Sequence, residues 1–181
     1  MENAMRANWK GWAFCCASLV LFALTACSTG GIIDKDSYPN HQFSFDVRAD
    51  SPDIEVLDYQ YSNSRHVGIR PERERVAMGE IFGAQNIAGS ILRGDFLYVK
   101  WRVKKHGTLL PEYLGTCEDR VDLRSRLPAD ITGLRIHFVI RGPQLYVYLV
   151  WPYDPKHEYP VGELKNFGKV KQVQIYPDQV K

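Results

Sequence analysis

The fold class of this chain follows most directly from the stretch Leu134-Arg-Ile-His-Phe-Val-Ile-Arg-Gly-Pro-Gln-Leu-Tyr-Val-Tyr-Leu-Val-Trp151. Its two halves are rich in β-branched and aromatic residues, and Gly142-Pro143 separates them. Two such runs joined by a tight turn predict a β-hairpin. In the second run every other residue is expected to face the core, namely Leu145, Val147 and Leu149.

A second segment, Phe96-Leu-Tyr-Val-Lys-Trp-Arg-Val103, has the clearest strand periodicity in the chain. One face is apolar and predicted to be core: Leu97, Val99, Trp101 and Val103. The opposite face carries Phe96, Tyr98, Lys100 and Arg102.

The remaining segments complete an all-β pattern. Further strands are predicted at Phe43–Val47, Ile54–Tyr61 and Val170–Tyr176, and at either Leu109–Leu114 or Arg120–Leu123. Residues 62–95 are irregular, with a short strand conceivable at Val76–Ile81 and weak helical character at Gln85–Arg93; they are either a functional loop or a misread element. Short strands without a long amphipathic helix predict an all-β fold, a mainly antiparallel sandwich or barrel-like domain.

The N-terminal segment has the features of an export signal. A polar start with Arg6 and Lys10 precedes an apolar run that ends in Leu24-Thr-Ala-Cys27. The run is shorter than the roughly 20 residues of a membrane-spanning helix, and its end resembles a bacterial lipobox. We therefore predict a cleaved lipoprotein signal peptide over residues 1–26, with lipidation at Cys27.

This assignment fixes the predicted organisation of the mature chain. Residues 27–41 are the lipidated N-terminus and a flexible tether, and residues 42–181 form a single β-rich globular domain. Ser28, following Cys27, favours the outer membrane over the inner membrane, by analogy with bacterial sorting rules. The expected location is the cell envelope, lipid-anchored and facing the periplasm.

Composition excludes several classes of protein. The net charge of +2 falls to about +1 once residues 1–26 are removed, which argues against a nucleic-acid binder. Cys117 is then the one cysteine left without lipid, so neither an intramolecular disulfide nor a cysteine-based zinc site is expected. Cys117 is interpreted as a small buried hydrophobe, with a reactive thiol as the alternative.

The chain offers no recognisable catalytic motif. Its five histidines show no metal-ligand spacing, and neither a Gly-x-Ser-x-Gly elbow nor a phosphate-binding glycine loop occurs. We predict no cofactor, no metal and no enzymatic activity. An enzyme acting on lipid or peptidoglycan through His137 or His157 stays open as an alternative.

Candidate partner-binding residues fall into two groups. The first is aromatic and cationic and shares one surface if the strands are neighbours: Tyr98, Lys100, Arg102, Arg135, His137, Tyr146 and Tyr148. Its alternative is that the tyrosines form a second layer of core. The second group lies in a Pro-rich loop after Trp151, which is either presented to a partner or simply solvated: Asp154, His157, Glu158 and Glu163.

Together with the lipobox, one segment suggests a family. It runs from Val121-Asp-Leu-Arg-Ser-Arg-Leu-Pro-Ala-Asp-Ile131 through Ile136–Ile140 to Gly142-Pro-Gln-Leu-Tyr-Val-Tyr148 and is similar to small proteobacterial lipoproteins that accompany type VI secretion effectors, in particular phospholipases. The resemblance implies an immunity protein, whose partner is a secreted lipase or phospholipase effector. The alternative is a structural or assembly lipoprotein of the envelope or of a secretion system. The sequence predicts no oligomeric state.

Overall fold

The computed structural model describes residues 38–105, 107 and 110–178, within the unit Asp36–Lys181. The predicted signal peptide, Cys27 and residues 28–37 of the predicted tether lie outside these described residues, as does His106. The first strand begins at Asn40, so the last two residues assigned to the tether, Asn40 and His41, belong to the folded domain.

Eight strands and three very short helices are described. The strands are β1 (Asn40–Asp46), β2 (Ile54–Ser62), β3 (Ala84–Ser90), β4 (Phe96–Lys104), β5 (Tyr113–Asp122), β6 (Arg135–Arg141), β7 (Gln144–Val150) and β8 (Gln172–Tyr176). The helices are α1 (Val47–Asp50), α2 (Arg73–Ala77) and a 3₁₀ helix (Lys165–Phe167).

The strands form two separate sheets. The larger has the order β3-β1-β6-β7-β8 and the smaller has the order β2-β4-β5. Neighbouring strands are antiparallel except β1 and β6, which run parallel with Phe43 beside Ile136. The predicted hairpin is β6–β7, turning at Gly142, whose φ of +58° suits glycine. The prediction of a mainly β fold with largely antiparallel sheets is therefore confirmed.

One hydrophobic core joins the inner faces of both sheets. Phe43 of the larger sheet stacks on Tyr61 of the smaller, with ring centroids 5.2 Å apart. Trp101 is 1% exposed, and its indole Nε1–H donates to the carbonyl oxygen of Gly142 at 3.0 Å. The predicted core residues of both segments are buried, apart from the half-buried Val103: Leu97, Val99, Trp101, Leu145, Val147 and Leu149.

A second, smaller apolar cluster lies on the outer face of the larger sheet. Val139, Tyr148 and Val150 pack there against Leu164, which belongs to the segment between β7 and β8. The strands β6 and β7 are consequently covered on both faces, which is why they read as nearly continuous apolar runs.

Three local predictions were wrong. The segment predicted to have weak helical character, Gln85–Arg93, lies largely in strand β3, because pairing with β1 overrides its low strand propensity. The conceivable strand at Val76–Ile81 is instead the end of α2 and a turn. The two alternatives for the strand after β4 each overlap one end of a single strand, β5, which includes residues 113–114 of the first and 120–122 of the second.

Candidate protein-binding surface

Three of the predicted partner-binding residues lie together on the outer face of the smaller sheet. Tyr98, Lys100 and Arg102 alternate along β4, which is the central strand between β2 and β5. Their neighbours in the flanking strands are polar or charged, so the face has three adjacent strands. We call this surface the outer face of the three-stranded sheet; its members are Glu55, Asp58, Gln60, Tyr98, Lys100, Arg102, Glu118 and Arg120.

Charged pairs hold one end of this face in place. The Arg102 guanidinium donates from Nε to Glu55 Oε2 at 2.6 Å, and their side chains are only 29% and 12% exposed. The same guanidinium lies over the ring of Tyr113, with its carbon 4.0 Å from the ring centroid. Arg102 is therefore held between a carboxylate and an aromatic ring, in a fixed orientation.

The middle of the face is organised around Tyr98 and Lys100. The Tyr98 hydroxyl donates to Glu118 Oε2 at 3.0 Å; burial and this carboxylate raise the pKa of Tyr98 to about 12. Lys100 sits in register between Asp58 of β2 and Glu118 of β5. Burial raises the pKa of Asp58 above its usual value. Because its own pKa is raised, the Tyr98 hydroxyl stays protonated and remains a hydrogen-bond donor at physiological pH.

Arg120 continues the pattern toward the other end, with its guanidinium carbon 3.5 Å from the centroid of the Phe96 ring. Charges of opposite sign thus alternate with flat aromatic groups across the sheet. Such a mixture of aromatic and arginine side chains is typical of the central residues of protein interfaces.

The other members of the predicted aromatic and cationic group do not share this surface. Arg135, His137, Tyr146 and Tyr148 lie on β6 and β7, in the larger sheet. Tyr148 is 2% exposed in the second apolar cluster, so the alternative of a second core layer is correct for it. The prediction failed because alternation alone does not reveal which strands are neighbours.

The buried hydroxyl of Tyr148 is nevertheless satisfied. It donates to Glu163 Oε2 at 2.6 Å, and this contact lowers the pKa of Glu163. Arg141 completes the group, with Nη1 3.3 Å from the same oxygen and its guanidinium 5.1 Å from the Tyr146 ring. Glu163, predicted as part of an acidic loop, thus serves to fasten that loop to β7.

His137 belongs to a chain of hydrogen bonds in a cleft of about 630 Å³ on the outer face of the larger sheet. Its Nδ1 lies 2.9 Å from Ser44 Oγ and its Nε2 lies 3.1 Å from Asp50 Oδ2. Asn166 donates to the second oxygen of Asp50 at 2.9 Å. The residue types are those of a serine hydrolase triad.

The geometry of this chain of hydrogen bonds is better suited to holding segments of the protein together than to acyl transfer. Ser44 and His137 are only 4% and 2% exposed. Ser44 also lies on β1, which pairs with strands on both sides, whereas an oxyanion site needs backbone N–H groups that are aimed at the substrate. These hydrogen bonds join β1, α1, β6 and the 3₁₀ helix. The Phe167 ring packs edge-on against the His137 ring, and the two ring centroids are 4.8 Å apart.

Arg135 lies at the edge of the same cleft. Its guanidinium donates to Asn86 Oδ1 at 3.0 Å and to Gln42 Oε1, and it stands 5.3 Å from the Phe167 ring centroid. Burial lowers the pKa of Arg135 from its ordinary value. Its donors are engaged within the domain, so it also acts as a tie between β1, β3 and β6.

The Pro-rich loop brings two of its four predicted residues together, Asp154 and His157. His157 Nδ1 lies 2.6 Å from Asp154 Oδ2, and both side chains are substantially exposed. Glu158 pairs instead with Lys169. Contacts with Lys156 and His157 lower the pKa of Asp154. This is a solvated turn with local hydrogen bonds.

The sequence patterns did not reveal Glu55, Glu118 and Arg120 on the outer face of the three-stranded sheet. They also did not reveal Ser44 and Asp50 in the cleft of the larger sheet. The first three could have been found by pairing β4 with its neighbours, had β5 been identified as one strand. Ser44 and His137 are 93 residues apart, and no local pattern connects them.

Within residues 38–105, 107 and 110–178, no cluster of histidine, cysteine and carboxylate side chains is arranged to hold a metal ion. In that same part of the chain, no helix is long and apolar enough to cross a membrane. Cys117 is partly exposed and packs against the edge of the main core.

The chain matches no protein-family profile, no curated protein and no solved structure.

Proposed function

We propose that this chain is a membrane-anchored periplasmic lipoprotein that binds and neutralises a toxic secreted enzyme, specifically a type VI secretion lipase or phospholipase effector. The observation that carries the proposal is the outer face of the three-stranded sheet. It presents Tyr98, Lys100 and Arg102 from a central strand, with Tyr98 held by Glu118 of β5 and Arg102 held by Glu55 of β2.

Preorganisation is the physical reason that this face suits tight binding. A side chain loses rotamer freedom when it enters an interface, which costs about 0.5–1.5 kcal/mol for each flexible residue. Arg102 is already held by Glu55 and Tyr113, and Tyr98 by Glu118. A partner that docks here contacts side chains that folding has already ordered, so binding loses less rotamer entropy.

The predicted anchor at Cys27 strengthens the same proposal. A lipid-held inhibitor is confined to the membrane surface, and confinement raises its effective concentration toward any enzyme that attacks phospholipid there. Several acyl chains give stable attachment, whereas a single chain gives only marginal binding. The proposed site of action is the periplasmic side of the envelope, with the outer membrane favoured. The proposed role is non-catalytic.

Site-specific photocrosslinking in living cells tests the proposed binding face. A photoreactive residue is placed at Lys100, on the face, and at Lys156 in the exposed loop as the matched control. We expect a secreted lipase to crosslink at position 100 and not at position 156. A crosslink from position 100 to a resident membrane complex would contradict the proposal and favour the alternative of an assembly lipoprotein.

A further inference from the structure

The β4–β5 hairpin ends in a group of exposed apolar side chains. Leu110 and Leu114 are 76% and 70% exposed, and Tyr113 is 37% exposed. The hairpin continues one pair beyond the strands, because the backbone N–H of Lys105 donates to the carbonyl oxygen of Glu112 at 2.8 Å. These apolar side chains therefore project from one end of the smaller sheet.

Other exposed apolar residues in the described part of the chain occur in different surroundings. Val67, Tyr153 and Val161 are separated from one another along the chain, and single exposed apolar side chains need no explanation. Met78 and Ile81 are closer together, but residues 72–82 around them carry three glutamates and two arginines, whereas residues 104–114 carry two lysines and one glutamate. The excess of negative charge around Met78 and Ile81 opposes contact with an anionic surface.

Cations border the hairpin end instead. Arg102 lies over Tyr113, Lys104 Nζ is 3.6 Å from Glu55 Oε1, and Lys105 Nζ is 2.8 Å from Glu112 Oε2. The Lys105 and Glu112 side chains are 53% and 54% exposed, and such exposed pairs contribute little to stability. The Lys105 ammonium group can therefore exchange its carboxylate for a phosphate at little cost to the fold.

We propose that this hairpin-end patch, made of Lys104, Lys105, Leu110, Tyr113 and Leu114, contacts an anionic phospholipid bilayer. The two leucines enter the boundary between headgroups and acyl chains, while the lysine ammonium groups stay at the level of the phosphates. Basic side chains next to apolar ones complement an anionic bilayer in both charge and polarity.

The contact is weak by itself and depends on the lipid anchor of the proposed function. Once a lipid holds the chain at the membrane, the second contact becomes intramolecular and needs little intrinsic affinity. Because β4 carries both this patch and the Tyr98–Arg102 row, the contact holds the outer face of the three-stranded sheet beside the bilayer. An enzyme acting on phospholipid would meet that face at the membrane.

The test uses the full lipidated chain reconstituted into vesicles of phosphatidylethanolamine and phosphatidylglycerol. In a Cys117→Ser background, single cysteines are introduced as Leu110→Cys, Leu114→Cys, Val67→Cys and Tyr153→Cys and labelled with an environment-sensitive fluorophore. The vesicles carry lipids with brominated acyl chains, which quench fluorophores that enter the bilayer. Vesicle flotation reports the anchor separately.

We expect quenching at positions 110 and 114 to be at least about twice that at positions 67 and 153, which are 61% and 71% exposed and belong to other segments of the chain. Lys104→Gln with Lys105→Gln, or vesicles of phosphatidylcholine alone, should reduce the quenching to about half or less. Protein that floats with the vesicles but shows equal, low quenching at all four positions overturns this inference alone. Protein that does not float overturns the anchor and this inference together.

Discussion

At the scale of single residues, His41 shows how burial sets a charge state. It is 1% exposed, with Nδ1 2.9 Å from the carbonyl oxygen of Pro39 and Nε2 3.0 Å from the Tyr61 hydroxyl. A carbonyl can only accept, so Nδ1 carries the proton and Nε2 accepts from Tyr61. Burial lowers the pKa of His41 below 6.5, so the ring is neutral in the folded domain.

This lowered pKa predicts a loss of stability in acid. Below pH 6.5 the unfolded chain binds a proton that folded His41 does not, so the free energy of unfolding falls as the pH drops through that window. Urea titrations at pH 7.5 and 5.5 should show the wild type losing up to about 1.4 kcal/mol more than His41→Gln. The same pH slope for both proteins would contradict the assigned neutral state.

The buried hydrogen-bond chain through His137 gives a second prediction at this scale. His137→Ala removes the partner of both Ser44 and Asp50, and we expect it to lower the free energy of unfolding by about 2–4 kcal/mol. Ser44→Ala removes one neutral contact and should cost about 1 kcal/mol. Denaturant titration measures both.

His157→Ala on the exposed loop is the control and should stay within about 0.5 kcal/mol of the wild type. Equal effects of His137→Ala and His157→Ala would mean that the chain through His137 does not fasten the segments it joins.

At the scale of elements, the segment between β7 and β8 is the part that turns an exposed sheet face into a second core layer. Leu164 is 1% exposed within it, and Gln172 holds it by accepting from the Leu164 N–H at 3.0 Å and donating to its carbonyl oxygen at 3.1 Å. The segment has no long helix or strand of its own. Its position is fixed by Leu164, by Phe167 and Val170 packed beside it, and by side-chain hydrogen bonds.

We therefore expect Leu164→Ala to lower the free energy of unfolding by about 2–4 kcal/mol, because it leaves a cavity over Val139 and Tyr148. Val173→Ala is the control, because Val173 is 40% exposed and should change stability by less than about 1 kcal/mol. Both are measured by chemical denaturation. A Leu164→Ala effect as small as that of Val173→Ala would show that the segment is not anchored there.

The elements that could be predicted from the sequence were those whose own residues carry the signal. Strand β4 and the β6–β7 hairpin have strong alternation or apolar content, and both are present with nearly the predicted bounds. Strand β3, Ala-Gln-Asn-Ile-Ala-Gly-Ser, has no such signal and exists because β1 pairs with it.

Gly94 is required by packing, since a Cβ there would lie 2.4 Å from the Tyr61 ring.

The same distinction applies to the candidate partner-binding residues. Tyr98, Lys100 and Arg102 could be placed on one face because they alternate within a single strand. The assignment of Arg135, His137, Tyr146 and Tyr148 to that face depended on which strands are neighbours, and it was wrong because β4 and β6 are in different sheets. Strand order depends on contacts distant in sequence, which alternation does not encode.

At the scale of the whole molecule, the two sheets present different outer faces. The larger sheet is partly covered by the segment before β8, and its polar groups bind one another. The smaller sheet leaves the side chains of Tyr98, Lys100 and Arg102 at the surface. Stability and partner binding are therefore expected to depend on different residues.

This separation predicts a variant that folds normally but does not bind. Tyr98→Ala with Lys100→Gln should stay within about 2 kcal/mol of wild-type stability, because both side chains are partly exposed on an outer face and no new charge is placed between Asp58 and Glu118. The same variant should weaken capture of the secreted enzyme by at least roughly tenfold. Thermal unfolding measures the effect on stability. The crosslinking yield from a photoreactive residue placed at position 120, in place of Arg120, measures the effect on binding.

The most direct test of the proposed function is the survival of cells that lack this protein when they are mixed with sibling cells that secrete the effector. We predict that deletion makes the cells sensitive, that the wild-type protein or His157→Ala restores survival, and that Tyr98→Ala with Lys100→Gln does not. Survival of the deletion strain equal to that of the wild type would contradict the proposal that this protein is an immunity protein.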